Sequence, residues 1–124
     1  MAYDVRGHGA SDKPAAFSMA DHVADLLGLC RALGLTRPAL VGFSMGSYIT
    51  LRTAELHPHA FGRIVLIVHG TADKVVDLSY ARRAAEVHGS RATGSTTLVE
   101  LDGAGHGFSR RHDREALGAF AARS

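Results

Sequence analysis

Three side chains at regular intervals could together make an alcohol nucleophilic: Ser44, Asp73 and His106. A serine hydroxyl is a poor nucleophile near neutral pH, so it needs a base within hydrogen-bond reach and an acid to orient and charge-stabilise that base. Ser44 sits in Gly42-Phe43-Ser44-Met45-Gly46, directly after the apolar run Pro38-Ala39-Leu40-Val41. That Gly-x-Ser-x-Gly pattern is the nucleophile elbow, a strained strand-to-helix turn that points the hydroxyl out of a sheet. Glycine is expected at both flanks because only it leaves room there. In this pattern the partners follow in the order Ser, acid, His. Here the strand-like run Ile64-Val65-Leu66-Ile67-Val68 leads into His69-Gly70-Thr71-Ala72-Asp73, and Thr96-Thr97-Leu98-Val99-Glu100-Leu101 leads into Asp102-Gly103-Ala104-Gly105-His106-Gly107.

The spacings carry more than the residue types. Ser44 to Asp73 is 73 − 44 = 29 residues and Asp73 to His106 is 106 − 73 = 33, each close to one strand-helix-strand unit of roughly 30 residues. Crossovers of that kind lay parallel strands side by side with their carboxyl ends on one edge, where open α/β sheets carry their sites. Phe43 and Met45 flank the nucleophile and Phe108 follows the histidine, so all three are candidates to line an acyl pocket. Each also has a plainer role. Ser44 could be a small turn residue, Asp73 a turn or helix cap with Asp77 as rival acid, His106 a loop histidine held by glycines that let the loop approach closely, and the aromatics could be core. His69 reads as packed or hydrogen-bonded beside the acid turn, and His22, His57, His59, His88 and His112 as surface residues. Asp4 and Arg6 read as a local ion pair ahead of Gly7.

The elements that must position these groups alternate. Ser18, with Asp21 three positions on, opens a helix whose apolar face is Val23, Leu26, Leu27, Cys30 and Leu33 and which ends at Gly34. Pro38 to Phe43 reads as a buried elbow strand, and Met45 to Leu56 as the elbow helix, with Ile49 and Thr53 on one stripe and His57-Pro58 as its stop. Arg63 to Gly70 reads as one strand, Leu78 to His88 as a helix with Leu78, Ala81, Ala85 and Val87 inward, and Gly89 to Ser95 as a loop. After the last strand comes a helix from Arg110 to Ala122 burying Leu117, Phe120 and Ala121. Continuous apolar strands alternating with helices predict a mainly parallel sheet in a three-layer α/β/α arrangement, as a single domain over residues 1–124.

These motifs together resemble the α/β-hydrolase superfamily, in its branch of small esterase-like and peroxidase-like hydrolases. The resemblance rests on Tyr3-Asp4-Val5-Arg6-Gly7-His8-Gly9-Ala10-Ser11-Asp12-Lys13-Pro14, the elbow, His69-Gly70-Thr71-Ala72-Asp73 and Gly103-Ala104-Gly105-His106. It implies Ser44 as nucleophile, Asp73 as acid, His106 as base and the backbone N–H of Met45 as one oxyanion donor. It also implies a shortened fold. The family's first three strands, the His-Gly loop that supplies the second oxyanion donor, and a lid have no counterpart here. Tyr3 to Val5 would belong to the fourth strand, and two family strands are merged in Arg63 to Gly70. The elbow strand is then expected to have an unpaired edge, met either by Tyr3 to Val5 or by a second subunit in a homodimer. A missing oxyanion donor typically costs about 10²–10³ in kcat, so weak activity is expected.

Composition excludes other classes. The chain has 124 residues, 46% hydrophobic and 21% charged, ordinary for a globular domain. Its net charge of +2 is scattered, with no basic stripe for nucleic acid, and Arg82-Arg83 and the trio Arg110, Arg111 and Arg114 read as solvated helix faces. A single cysteine, Cys30, permits no intrachain disulfide and reads as buried and inert. No histidine pair has metal-ligand spacing with a third ligand, so no metal and no cofactor are expected. No membrane span is visible, and a cytoplasmic location is the default expectation. The expected activity is hydrolysis of a carboxylic ester or related small acyl substrate. The alternatives are a non-catalytic, truncated binding or assembly module, and acyl transfer or perhydrolysis on the same triad.

Overall fold

A computed structural model describes residues 1–62, 64–90 and 95–121, with the side chains of 64–66, 95, 117, 120 and 121 outside the description. The expected start of the sheet strand at Arg63, most of the Gly89 to Ser95 loop and the burial of Leu117, Phe120 and Ala121 therefore lie outside the described residues. The chain divides into two compact units, Met1–Gly62 and Arg63–Ser124.

In the first unit, helix α1 spans Met19–Ala32 and helix α2 spans Met45–Leu56. The Asp21 carboxylate accepts from the Ser18 backbone N–H at 2.8 Å and from its hydroxyl at 2.9 Å, fixing the start of α1. At its other end Gly34 turns left-handed (φ 64°), Leu35 N–H reaches back to the Cys30 carbonyl and Gly34 N–H to that of Arg31. This pairing satisfies two of the helix's orphan carbonyls. Leu26 and Cys30 pack with Ile49 of α2 and with Phe61 to form the core, and Val5, Leu27 and Leu40 pack against it. Two residues of this helix region differ from expectation. Leu33 is exposed because it caps the helix beyond its last turn, and His22, expected on the surface, is only 4% exposed and meets Phe17 edge-on.

Arg6 does not pair with Asp4. Its guanidinium donates to both carboxylate oxygens of Asp25 on α1, at 2.9 and 2.6 Å, while Asp4 accepts from the Ala10 N–H at 2.8 Å. The loop ahead of α1 is thus tied to the helix by a bidentate pair, and Asp4 closes the loop on itself.

The expected elbow strand is a correction. Residues 38–43 carry no strand ladder, Val41 is 95% exposed, and Tyr3 to Val5 form no strand beside them. An extended segment becomes a strand only when a neighbour takes up its backbone hydrogen bonds. Among the described residues no such ladder forms; Leu40 packs against the core, and the carbonyls of Pro38, Gly42 and Phe43 accept from Gly62 N–H, the Ser47 hydroxyl and Gly46 N–H.

The second unit is a β-α-β arrangement: β1 Ile64–Gly70, α3 Leu78–Gly89 and β2 Ser95–Leu101, followed by α4 Arg111–Ala121. The two strands pair in parallel, from Ile64 opposite Ser95 to Gly70 opposite Leu101, so their carboxyl ends finish level. Helix α3 packs on both strands, burying Ala81, whereas Val87 is exposed. The class is therefore α/β with a parallel sheet. Among the described residues no helix is long and apolar enough to cross a membrane.

Candidate active site

At the carboxyl ends of β1 and β2 the chain leaves the sheet in two loops that stay zipped together. Thr71 N–H donates to the Leu101 carbonyl and Ala72 N–H to that of Ala104, each at 3.0 Å, extending the parallel ladder past the strands. The Thr71 hydroxyl accepts from Gly103 N–H at 2.8 Å and donates to Asp102 Oδ1 at 3.2 Å. Gly70 is where glycine is required: a Cβ there would strike the Ala104 carbonyl oxygen and lie 2.6 Å from its carbon. Gly103 is left-handed (φ 65°) and lies under the Arg110 guanidinium. The glycines flanking His106 do not have the expected role, since a Cβ on Gly105 or Gly107 meets nothing within 4 Å among the described residues.

This zipper brings Asp73 and His106 together. Asp73 Oδ2 lies 2.9 Å from His106 Nδ1, and the Asp73 side chain is 4% exposed. Asp73 Oδ1 accepts from the N–H groups of Val75 at 2.8 Å and Val76 at 3.0 Å. Turn capping and histidine binding, alternatives in the sequence, are thus divided between the two oxygens of one carboxylate. Asp77 is occupied elsewhere, capping α3 through Ser79 N–H. An ionised carboxylate can only accept, so the hydrogen in the Asp73–His106 bond sits on Nδ1, and the neutral ring carries its lone pair on Nε2. His69 Nε2 donates to the Val76 carbonyl at 3.0 Å and stands 3.6 Å from Asp73 Oδ2, bracing the same turn.

Burial alone pushes the Asp73 carboxyl up. The Val76 N–H, the His106 ring and the Val75 N–H outweigh it and hold the pKa down at about 2, against an ordinary 3.8. A depressed folded-state value stabilises the fold above the unfolded pKa, and that contribution disappears as pH falls through the folded one. Wild type is therefore expected to exceed Asp73→Asn in stability above pH 3.8, and the gap to close as the pH approaches 2. Denaturant midpoints of both proteins across that range check it; a gap that is independent of pH contradicts the assignment.

Ser44 belongs to the first unit. It stands at the amino end of α2 with φ 51° and ψ −119°, a left-handed conformation rare for a non-glycine residue and costing about 1–3 kcal/mol. The turn is held by Gly46 N–H to the Phe43 carbonyl at 2.8 Å and by the Ser47 hydroxyl to the Gly42 carbonyl at 2.7 Å. Ser44 and Phe43 are exposed, as is the side chain of Met45. The Met45 N–H, one of the orphan donors of a helix start, has no acceptor among the described residues. Phe108 lies in the second unit, half-buried and left-handed (φ 44°) two residues past His106.

The two elbow glycines are not equivalent. A Cβ on Gly42 would collide with the Gly46 carbonyl and lie 2.6 Å from Ser47 N, whereas one on Gly46 meets nothing within 4 Å among the described residues. Gly42→Ala is therefore expected to destabilise by about 1–3 kcal/mol through forced backbone shifts. Gly46→Ala, in the first turn of a helix, should be neutral or stabilise by up to about 1 kcal/mol. Thermal midpoints of the two variants check the contrast, and equal losses would contradict it.

Sequence reasoning missed a second charged pair. Asp113, on the first turn of α4, is 2% exposed, and the Arg110 guanidinium meets it with Nε to Oδ2 at 2.9 Å and Nη2 to Oδ1 at 2.8 Å. Arg110 itself stays exposed, as the sequence suggested, yet its fork reaches a buried carboxylate; only its spacing of three from Asp113, at a helix start, hinted at the pair. The pairing lowers the Asp113 pKa, chiefly through the Arg110 hydrogen bonds. Among the described residues there is no group of three or more His, Cys, Asp or Glu able to hold a metal ion.

An α/β fold with a strained serine at an elbow and a carboxylate-histidine pair at parallel strand ends defines a hydrolase-like class of protein. The family model described as alpha/beta hydrolase fold matches residues 1–83, a stretch that includes Ser44 and Asp73 and stops before His106. The chain belongs to the α/β-hydrolase fold family. An uncharacterized protein of Mycobacterium tuberculosis is 33% identical over 93 residues, covering 74% of this chain and 27% of the relative. A 2-(acetamidomethylene)succinate hydrolase of Mesorhizobium japonicum is 37% identical over 68 residues, covering 54% of this chain and 24% of the relative. The chain thus spans about a quarter of the length of the curated relatives it matches. A solved structure titled as a predicted CIB-like hydrolase, from Thermoplasma acidophilum, superposes with a TM-score of 0.75 at 18% identity, over 94% of this chain and 67% of that one. That likeness is one of fold.

Proposed function

We propose that the chain acts as a single α/β-hydrolase domain that hydrolyses a carboxylic ester or related acyl substrate without a cofactor, through Ser44, His106 and Asp73. The observation that carries this reading is the 2.9 Å bond from Asp73 to His106 Nδ1, which fixes the ring tautomer and leaves Nε2 as the basic nitrogen. In the proposed reaction Ser44 Oγ attacks the acyl carbonyl carbon as His106 Nε2 takes the hydroxyl proton. Asp73 stabilises the imidazolium, and the Met45 N–H donates to the developing oxyanion. The imidazolium then protonates the leaving alcohol, giving an acyl-enzyme, and a water that loses its proton to His106 releases the acid. Phe43, Met45 and Phe108 are the side chains proposed to contact the acyl group. Family membership and the hydrolase name of one relative support hydrolysis in general, and the elbow supports serine as the nucleophile.

A fluorophosphonate probe tests this directly. Folded protein should take up one adduct, mapped to Ser44, and Ser44→Ala should take up none; label elsewhere, or equal label on the variant, removes the reading.

A further inference from the structure

The histidine loop is closed at both ends, and the two closures differ in kind. Its near end, Asp102 to Ala104, is fastened to the acid loop by backbone bonds and by Thr71. Its far end is tied back by the Arg110 side chain. The same Nη2 that meets Asp113 Oδ1 also donates to the Asp102 carbonyl at 2.7 Å, so one guanidinium joins the first and last residues of a loop with His106 at its middle. Asp113, buried and ionised, is the fixed point. Burying a carboxylate is tolerated only when it is paired with good geometry, so the planar fork of Arg110 is held in place by the charge it neutralises. The guanidinium also lies over Gly103, 3.0 Å from where a Cβ would stand.

We propose that Arg110, anchored by the buried Asp113 and bonded across the loop to the Asp102 carbonyl, is a positioning residue that holds His106 against Asp73. Arg110 acts through the loop and takes no part in bond making. A lysine in its place would keep a cation near Asp113, yet a single ammonium lacks the fork that meets both carboxylate oxygens and the carbonyl at once. The proposal rests on His106 being the base of the proposed hydrolase, and it is tested by a signal that needs no activity.

The experiment is nuclear magnetic resonance on 15N-labelled full chain, following exchange of the His106 Nδ1–H with water, alongside amide exchange in β1 and β2. In Arg110→Lys and Arg110→Met the Nδ1–H should exchange roughly ten-fold faster while the strand amides keep their rates, a local opening and not a loss of fold. On any substrate that wild type turns over, kcat should fall roughly ten-fold to a hundred-fold with KM unchanged, as expected when a catalytic group is displaced by about an ångström. Wild-type Nδ1–H exchange in Arg110→Lys overturns the proposal, whether or not Arg110→Met stays folded. Acceleration confined to the Nδ1–H in a chain whose Ser44 takes no fluorophosphonate supports the positioning role and counts against the hydrolase reading alone.

Discussion

Replacing Ser44 by alanine is expected to lower kcat on any ester the chain hydrolyses by about 10⁶, with KM little changed, because the nucleophile of a triad acts as a unit with its base. The structure makes this an unusually separable test. The Ser44 side chain makes no capping bond to α2, so alanine removes no helix cap, and the left-handed backbone strains alanine about as much as serine. Stability should then stay within about 0.5 kcal/mol of wild type. A large loss of rate in an equally stable protein is attributable to the hydroxyl. Full activity in Ser44→Ala would instead mean that water, or another group, attacks the substrate.

Asp73→Asn should lower kcat by about 10⁴ for a reason that can be read from which oxygen does what. The turn is capped through Oδ1, which accepts from Val75 and Val76, and an asparagine carbonyl oxygen placed there keeps both bonds. Its amide then occupies the Oδ2 position facing His106 Nδ1. An amide donates, so it pairs with the ring only if Nδ1 carries the lone pair, which puts the hydrogen on Nε2 and leaves no basic nitrogen for Ser44. Histidine 15N shifts would report the switch of tautomer, and steady-state kinetics the loss. A variant with kcat within ten-fold of wild type would show that Asp73 does not set the tautomer.

Both expectations draw on residues visible in the sequence, because the chemistry they need is written in short local patterns. Gly42 to Gly46 carries the elbow pattern, and the apolar runs before Asp73 and His106 specify strands whose ends carry those loops. The elements α1, α2, β1, α3, β2 and α4 follow from the same local rules, and the caps at Asp21, Gly34 and His57 lie where expected. Family resemblance was legible for the same reason.

Other features depend on contacts between segments distant in the chain. Residues 38–43 have strand composition, but composition supplies no partner, so whether they form a ladder is settled by neighbours. His22 looks polar and Leu33 apolar, yet packing against Phe17 buries the first and the end of a helix exposes the second. Gly46, Gly105 and Gly107 resemble Gly42 and Gly70 in the sequence, and only the approach of another backbone separates a required glycine from an optional one.

By itself, the sequence determined the order and chemical identity of the nucleophile, acid and base candidates and the parallel α/β class, since both depend on residue type and periodicity. Tertiary structure alone decided that one oxygen of Asp73 caps a turn while the other holds His106, and that the exposed Arg110 pairs with a buried Asp113. Those arrangements are distances between atoms, and a chain acquires them only when burial forces each charged group to find its partner.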